Sequence, residues 1–68
     1  MKLTIKDCRI KVKATAKELA KYVGVTEDSV YNWESGKYAP KFNHTVKILD
    51  FFEEKGLSLH LNDLKFLP

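Results

Sequence analysis

The stretch that most constrains this chain is Gly24-Val25-Thr26, where a helix stop and a helix start stand one residue apart. Upstream, Thr15-Ala16-Lys17-Glu18 reads as a capping box. The threonine hydroxyl accepts from the amide three residues on, and the glutamate reaches back to the cap amide. Leu19, Ala20 and Val23 then form a buried face, and Gly24 stands where a helix ends in left-handed backbone. Thr26 opens the next helix, with Glu27 and Asp28 in a first turn whose positive dipole end favours carboxylates. Val30 and Trp33 continue an apolar stripe, and Gly36 closes it. The pattern predicts helices over 15–23 and 26–35, joined by a turn of three or four residues.

The flanks read less sharply. Leu3, Ile5, Cys8 and Val12 fit an amphipathic helix from Ile5 onward, with Ile10 off the stripe, while Met1 to Ile5 also alternates as a strand would. Lys37-Tyr38-Ala39-Pro40 predicts a loop, because Pro40 cannot extend the helix before it. Asn43 or Thr45 stands ready to cap a fourth helix. Its apolar face is Val46, Leu49 and Phe52, flanked by Ile48 and Phe51, and it runs to about Lys55 before Gly56. In the tail, Leu57, Leu59 and Leu61 alternate as in a strand, while Leu57, Leu61 and Leu64 share a helical face. The reading adopted is an extended segment at 57–61. The expected fold is all-α, a compact domain of four to five helices built on a helix-turn-helix, with a short C-terminal β segment as the open alternative.

Composition limits the function. Sixty-eight residues, 44% of them hydrophobic, can build one core but not a deep catalytic cavity. The single cysteine, Cys8, forms no intrachain disulfide and no Cys-rich zinc site. His44 and His60 are not at metal-ligand spacing, and there is no Ser/His/Asp set, glycine-rich phosphate loop or paired-carboxylate pocket. The expectation is a non-enzymatic protein with no catalytic residue, metal, cofactor or small-molecule substrate. No apolar run reaches the roughly 20 residues of a membrane span and no signal-peptide core is seen, so a cytoplasmic domain without a membrane partner is expected. The net charge is +3, in blocks: Lys2, Lys6, Arg9, Lys11, Lys13, Lys17 and Lys21 lead, then acidic Glu27, Asp28 and Glu34, then Lys37, Lys41 and Lys47. Lysine blocks suit a polyanion, since they neutralise phosphates and release counterions.

The set Glu18-Leu19-Ala20, Gly24-Val25, Val30, Trp33-Glu34-x-Gly36-Lys37 and Pro40 resembles the phage-repressor/Cro helix-turn-helix family, also called xenobiotic-response-element-like. Ile5, Cys8 and Arg9 extend the likeness upstream, and it covers roughly residues 5–55. It implies a lambda-repressor-like fold and a salt bridge between Arg9 and Glu34 beneath the motif. It also implies that the helix after Thr26 enters the DNA major groove by its N-terminal end. Carried over by position, Glu27, Asp28 and Asn32 face bases, with Ser29 and Tyr31 beside them. Asn32 can pair with adenine, and a carboxylate can accept from cytosine. Thr15, Lys17, Thr26, Ser35, Lys37, Tyr38 and Lys41 are the implied backbone contacts, which position the protein without reading sequence. Two residues depart from the family. Glu27 and Asp28 put acid where relatives often carry Gln, Arg or Ser, and Ala16 replaces a common glutamine.

The resemblance implies a small Cro-like or repressor-like regulator, of the kind found in phages and mobile elements. It would bind an operator in double-stranded DNA as a homodimer. Residues 1–56 would form the DNA-binding domain and 57–68 a dimerisation tail, with the Phe51/Phe52 face as further dimer surface. Glu27, Asp28 and Ala16 motivate an alternative, a protein-interaction adaptor of the antitoxin or anti-repressor kind on the same fold.

Overall fold

Each of the first three helices opens on a threonine whose hydroxyl accepts an amide of the first turn. In the computed structural model, which describes residues 3–65, these helices are α1 (Ile5–Val12), α2 (Ala16–Val23) and α3 (Glu27–Ser35). Thr4, Thr15 and Thr26 cap them, accepting from the amides of Asp7, Glu18 and Ser29 at 3.0, 3.1 and 3.2 Å. Asp7 and Glu18 reach back to the amides of Thr4 and Thr15, completing two capping boxes. Those cap-amide hydrogen bonds lower the pKa of both carboxyls, chiefly by favouring the charged form. The first box, Thr4-Ile5-Lys6-Asp7, has the same threonine-to-carboxylate spacing as the second, which is the signal that identifies it in the sequence.

Glycine closes α2 and α3. Gly24 and Gly36 adopt φ of 90° and 81°, left-handed backbone that a side chain disfavours. The amides of Gly24 and Val25 both return to the Ala20 carbonyl, so the turn into Thr26 is fixed by backbone alone. Ala20 is buried where α2 packs on α3, and a larger side chain there would push the helices apart.

The fourth helix, α4 (Phe42–Glu54), differs at its start. Its cap is Lys41, with no side-chain bond, and neither Asn43 nor Thr45 caps it. Thr45 lies one turn inside, buried, with its hydroxyl donated to the Lys41 carbonyl at 3.1 Å. The helix starts where Pro40 ends the loop, so the backbone sets the boundary and the polar side chains follow. The inward face is correspondingly rotated. Thr45, Ile48, Phe51 and Phe52 point to the core, Leu49 is half-buried and Val46 faces water.

The core collects Ile5 and Cys8 of α1, Leu19, Ala20 and Val23 of α2, Val30 and Trp33 of α3, and Ile48, Phe51 and Phe52 of α4. Burial pushes the Cys8 thiol up to about 11, so it behaves as a small core group. After Gly56 the chain folds back over this core. Leu57 and Leu59 pack against it and Leu64 is buried in it. The extended segment expected at 57–61 is not a strand. A single 3-10 turn spans Leu61–Asp63, and the β-type pairing falls instead on one parallel bridge between Leu3 and Leu64. That bridge is made by Leu3 N–H donating to Asp63 and Lys65 N–H donating to Leu3, at 2.9 and 2.8 Å. The fold is all-α, four helices with no β-strand among the described residues.

Candidate nucleic-acid interface

On a nine-residue helix, burying Val30 and Trp33 decides which side is left for a partner. In α3 those two residues point inward, so the 3.6-residue period carries Asp28, Tyr31, Asn32 and Ser35 to the opposite side. Glu27, Asp28, Tyr31 and Ser35 are exposed, while Asn32 and Ser29 are half-buried. Among the described residues, neither the core nor the C-terminal leucines cover this side; Tyr31 is 48% exposed.

Beneath the helix, Arg9 grips its far end. The guanidinium donates from Nε to Glu34 Oε2 at 2.6 Å and from Nη2 to Oε1 at 3.0 Å. Its Nη1 donates to the Ala14 carbonyl at 3.1 Å, tying α1, the α1–α2 link and α3 together. The two side chains are only 14% and 7% exposed, so this fork is shielded from solvent competition. The Glu34 hydrogen bond raises the Arg9 pKa further, which keeps the guanidinium charged. The salt bridge implied by the family likeness is present, with planar two-point geometry.

The outward side chains hold one another. Tyr31 donates to Glu27 Oε2 at 3.0 Å across one turn, and this bond raises the tyrosine pKa. Asn32 Nδ2 donates to the Tyr38 hydroxyl at 3.1 Å, which brings the loop after α3 against the helix. A primary amide has two N–H donors and a carbonyl oxygen. Asn32 therefore retains one donor and its acceptor, the pair needed to read the edge of an adenine. Thr26 and Ser29 share a hydroxyl contact at 3.1 Å, and Ser35 donates to the Asn32 carbonyl at 3.2 Å. Both hydroxyls thus serve the helix ends first. Asp28 stands exposed in the first turn with its carboxylate directed at no protein donor among the described residues.

Around this side, Lys17, Lys37 and Lys41 are exposed, as are Thr15 and Tyr38. Thr15 spends its hydroxyl on the Glu18 cap, and Ala16 is buried in the core. An open cleft of about 240 Å³ lies between α3, the loop and the start of α4, lined by Val25, Ser29, Trp33, Tyr38, Ala39, Lys41 and His44. It brings Ser29, Tyr38 and Lys41 together. His44, which the sequence does not place at metal-ligand spacing, is half-buried there with its ring 5.9 Å from that of Trp33. Its placement follows from α4 starting at Phe42, which sets His44 one turn after Lys41 on the side facing α3.

Among the described residues, no group of three or more His, Cys, Asp or Glu side chains is placed to hold a metal ion. No described helix is long and apolar enough to cross a membrane.

These features define a helix-turn-helix domain: two capped helices across a glycine turn, the second clamped from behind and open in front. The chain belongs to the helix-turn-helix family of the phage-repressor/Cro type, whose family model matches residues 5–59. Two proteins of Archaeoglobus fulgidus, each named an uncharacterized HTH-type transcriptional regulator, are similar along most of their length. One is 40% identical over 55 residues, covering 81% of this chain and 78% of the relative. The other is 35% identical over 63 residues, covering 93% and 90%. No solved structure matches.

Proposed function

We propose that this protein is a sequence-specific DNA-binding regulator of transcription, acting without catalysis from the cytoplasm by occupying an operator. The observation that carries the reading is the two-sidedness of α3, clamped behind by Arg9 and Glu34 and bare in front around Tyr31 and Asn32. In this reading α3 lies in the major groove by its N-terminal end. Asn32 reads an adenine with its remaining donor and acceptor. Glu27 and Asp28 accept from cytosine amino groups where the site offers them, and elsewhere serve the helix dipole. Ser29, Tyr31 and Ser35, with Thr15 and Thr26 at the helix starts, lie along the sugar-phosphate walls. Lys17, Lys37, Tyr38 and Lys41 hold phosphates and set register. One motif covers half a site, so the operator is bound by a homodimer on half-sites about 34 Å apart. The names of the archaeal relatives support transcription regulation.

A second reading draws on Glu27 and Asp28, exposed acids on the leading edge of α3, and on Ala16, buried where relatives often offer glutamine. In that reading the same face docks an adaptor's protein partner. Salt separates the two. Binding to a fluorescently labelled duplex should weaken steeply with salt, log K falling by about 0.9 per phosphate neutralised for each unit of log salt. Asn32→Ala should cost about 1–3 kcal/mol on the preferred sequence and relax one base position. Salt-independent or absent duplex binding, with both proteins alike, would hand the face to the adaptor reading.

A further inference from the structure

The way α3 ends places a phenol beside its outward amide. Left-handed backbone at Gly36, with φ of 81°, turns the chain so that the Lys37 N–H returns to the Asn32 carbonyl at 3.0 Å. The next residue, Tyr38, is thereby delivered to the side chain of Asn32, whose Nδ2 donates to its hydroxyl at 3.1 Å. Among the described residues that is the one hydrogen bond the Asn32 side chain makes. Tyr38 also lines the cleft beside Trp33 and Lys41, and at 47% exposure it has room to meet a partner as well.

A carboxamide can lie two ways round against a phenol. Either its nitrogen donates to the hydroxyl oxygen, or its carbonyl accepts the hydroxyl proton. The two leave different groups for a base. In the first, the amide keeps one N–H and its carbonyl, which matches N7 and the amino group of adenine. In the second, it keeps both N–H groups with its carbonyl turned to the phenol, which matches the two acceptors of guanine, N7 and O6. A phosphate decides between them. Its oxygens accept, so a tyrosine bound to one points its single hydroxyl proton outward and faces Asn32 with lone pairs alone. The arrangement present, with Asn32 donating, is the one that a phosphate-bound Tyr38 requires.

We propose that the Tyr38 hydroxyl determines specificity: by accepting from Asn32 while donating to a backbone phosphate, it locks the amide in the orientation that selects adenine and rejects guanine. The inference rests on the DNA reading above and adds what enforces the choice of base. Tyr38 touches no base itself and acts through Asn32, so it is a positioning residue. Through it a phosphate contact carries sequence information, which such contacts ordinarily lack.

The test compares two labelled duplexes that differ only in A·T or G·C at the position Asn32 meets in the selected site. Fluorescence anisotropy should give the wild type a preference for A·T of roughly tenfold. Tyr38→Phe keeps the ring and removes the hydroxyl. It should weaken binding to both duplexes and bring their ratio below about twofold, with an unchanged circular dichroism spectrum. A tyrosine that only held a phosphate would lower both affinities and leave the ratio alone. In an Asn32→Ala background, Tyr38→Phe should not move the ratio. The free chain gives a check without DNA: NMR relaxation should show the Asn32 side-chain amide ordered in the wild type and mobile in Tyr38→Phe. A wild-type ratio retained in Tyr38→Phe, a guanine preference in the wild type, or an amide equally mobile in both chains overturns the inference and leaves the DNA reading standing. Failure of the wild type to bind any duplex instead removes the DNA reading, and this inference with it.

Discussion

The motif unit from Thr15 to Gly36 and helix α4 are built by opposite rules. In the first, both helices begin on a threonine cap and end on a left-handed glycine, and the turn between them is closed by Ala20. Each boundary is set within a few residues of itself. Helix α4 starts on Lys41 without a side-chain cap and carries its charges against its own dipole. It is held instead by Ile48 and Phe52, both fully buried, and by Phe51 edge-on to Tyr22 and Phe52. The difference teaches where specificity resides. Local chemistry fixes the shape of the unit proposed to meet DNA, while tertiary packing fixes α4 and leaves its outer side exposed.

The strongest way to break this contrast is through α4's inward face. Phe52→Ala should cost about 3–5 kcal/mol in denaturant unfolding, comparable to much of a small domain's stability. Phe42→Ala, at the other side of the same helix, should stay within about 0.5 kcal/mol in dilute solution. Equal effects at the two positions would mean that α4 is not docked as described. Next in size is the clamp behind α3. Glu34→Ala strands the shielded Arg9 guanidinium and should cost about 2–3 kcal/mol in the same assay, lowering duplex affinity as α3 loosens.

The local rule of the motif gives smaller effects that sharpen the contrast. Thr15→Ala and Thr26→Ala should each cost about 1 kcal/mol, whereas Lys41→Ala, at a cap that makes no side-chain bond, should change stability by less than about 0.5 kcal/mol. The caps also predict an acid response. Asp7 and Glu18 have folded pKa values below their unfolded ones, because cap amides favour the carboxylate. Their contribution is therefore complete above the ordinary carboxylate range and is lost as pH falls through the depressed folded values. Thermal melts across that range should show stability falling with acid, and Thr15→Ala should flatten the fall. A variant with the wild-type slope would remove the Glu18 cap from the account.

The same division explains what was legible in the sequence. Thr15, Glu18, Gly24, Thr26 and Gly36 encode their structure locally, so α2, the turn and α3 are readable residue by residue. The exposed side of α3 follows at once from the inward positions of Val30 and Trp33. The Arg9–Glu34 pair spans 25 residues, and only the family likeness points to it. The start of α4 is not written in side chains: Asn43 and Thr45 are good caps by type, and neither is used. A helix that begins earlier and docks through Ile48 and Phe52 turns Val46 outward and His44 toward Trp33, which no local pattern specifies. In the tail, alternating leucines suit either a strand or a helix. What decides is a distant partner, Leu3, which pairs with Leu64 and leaves 57–60 without a strand.

The central claim is that the α3 face of Tyr31 and Asn32 reads a duplex. Selecting bound sequences from a random pool of double-stranded DNA tests it most directly, with wild type and Asn32→Ala run side by side. The account predicts a two-fold symmetric consensus with half-sites about 34 Å apart, and with Asn32→Ala the loss of preference at one position in each half. A pool that emerges as random as it entered, or a consensus indifferent to Asn32, would contradict it.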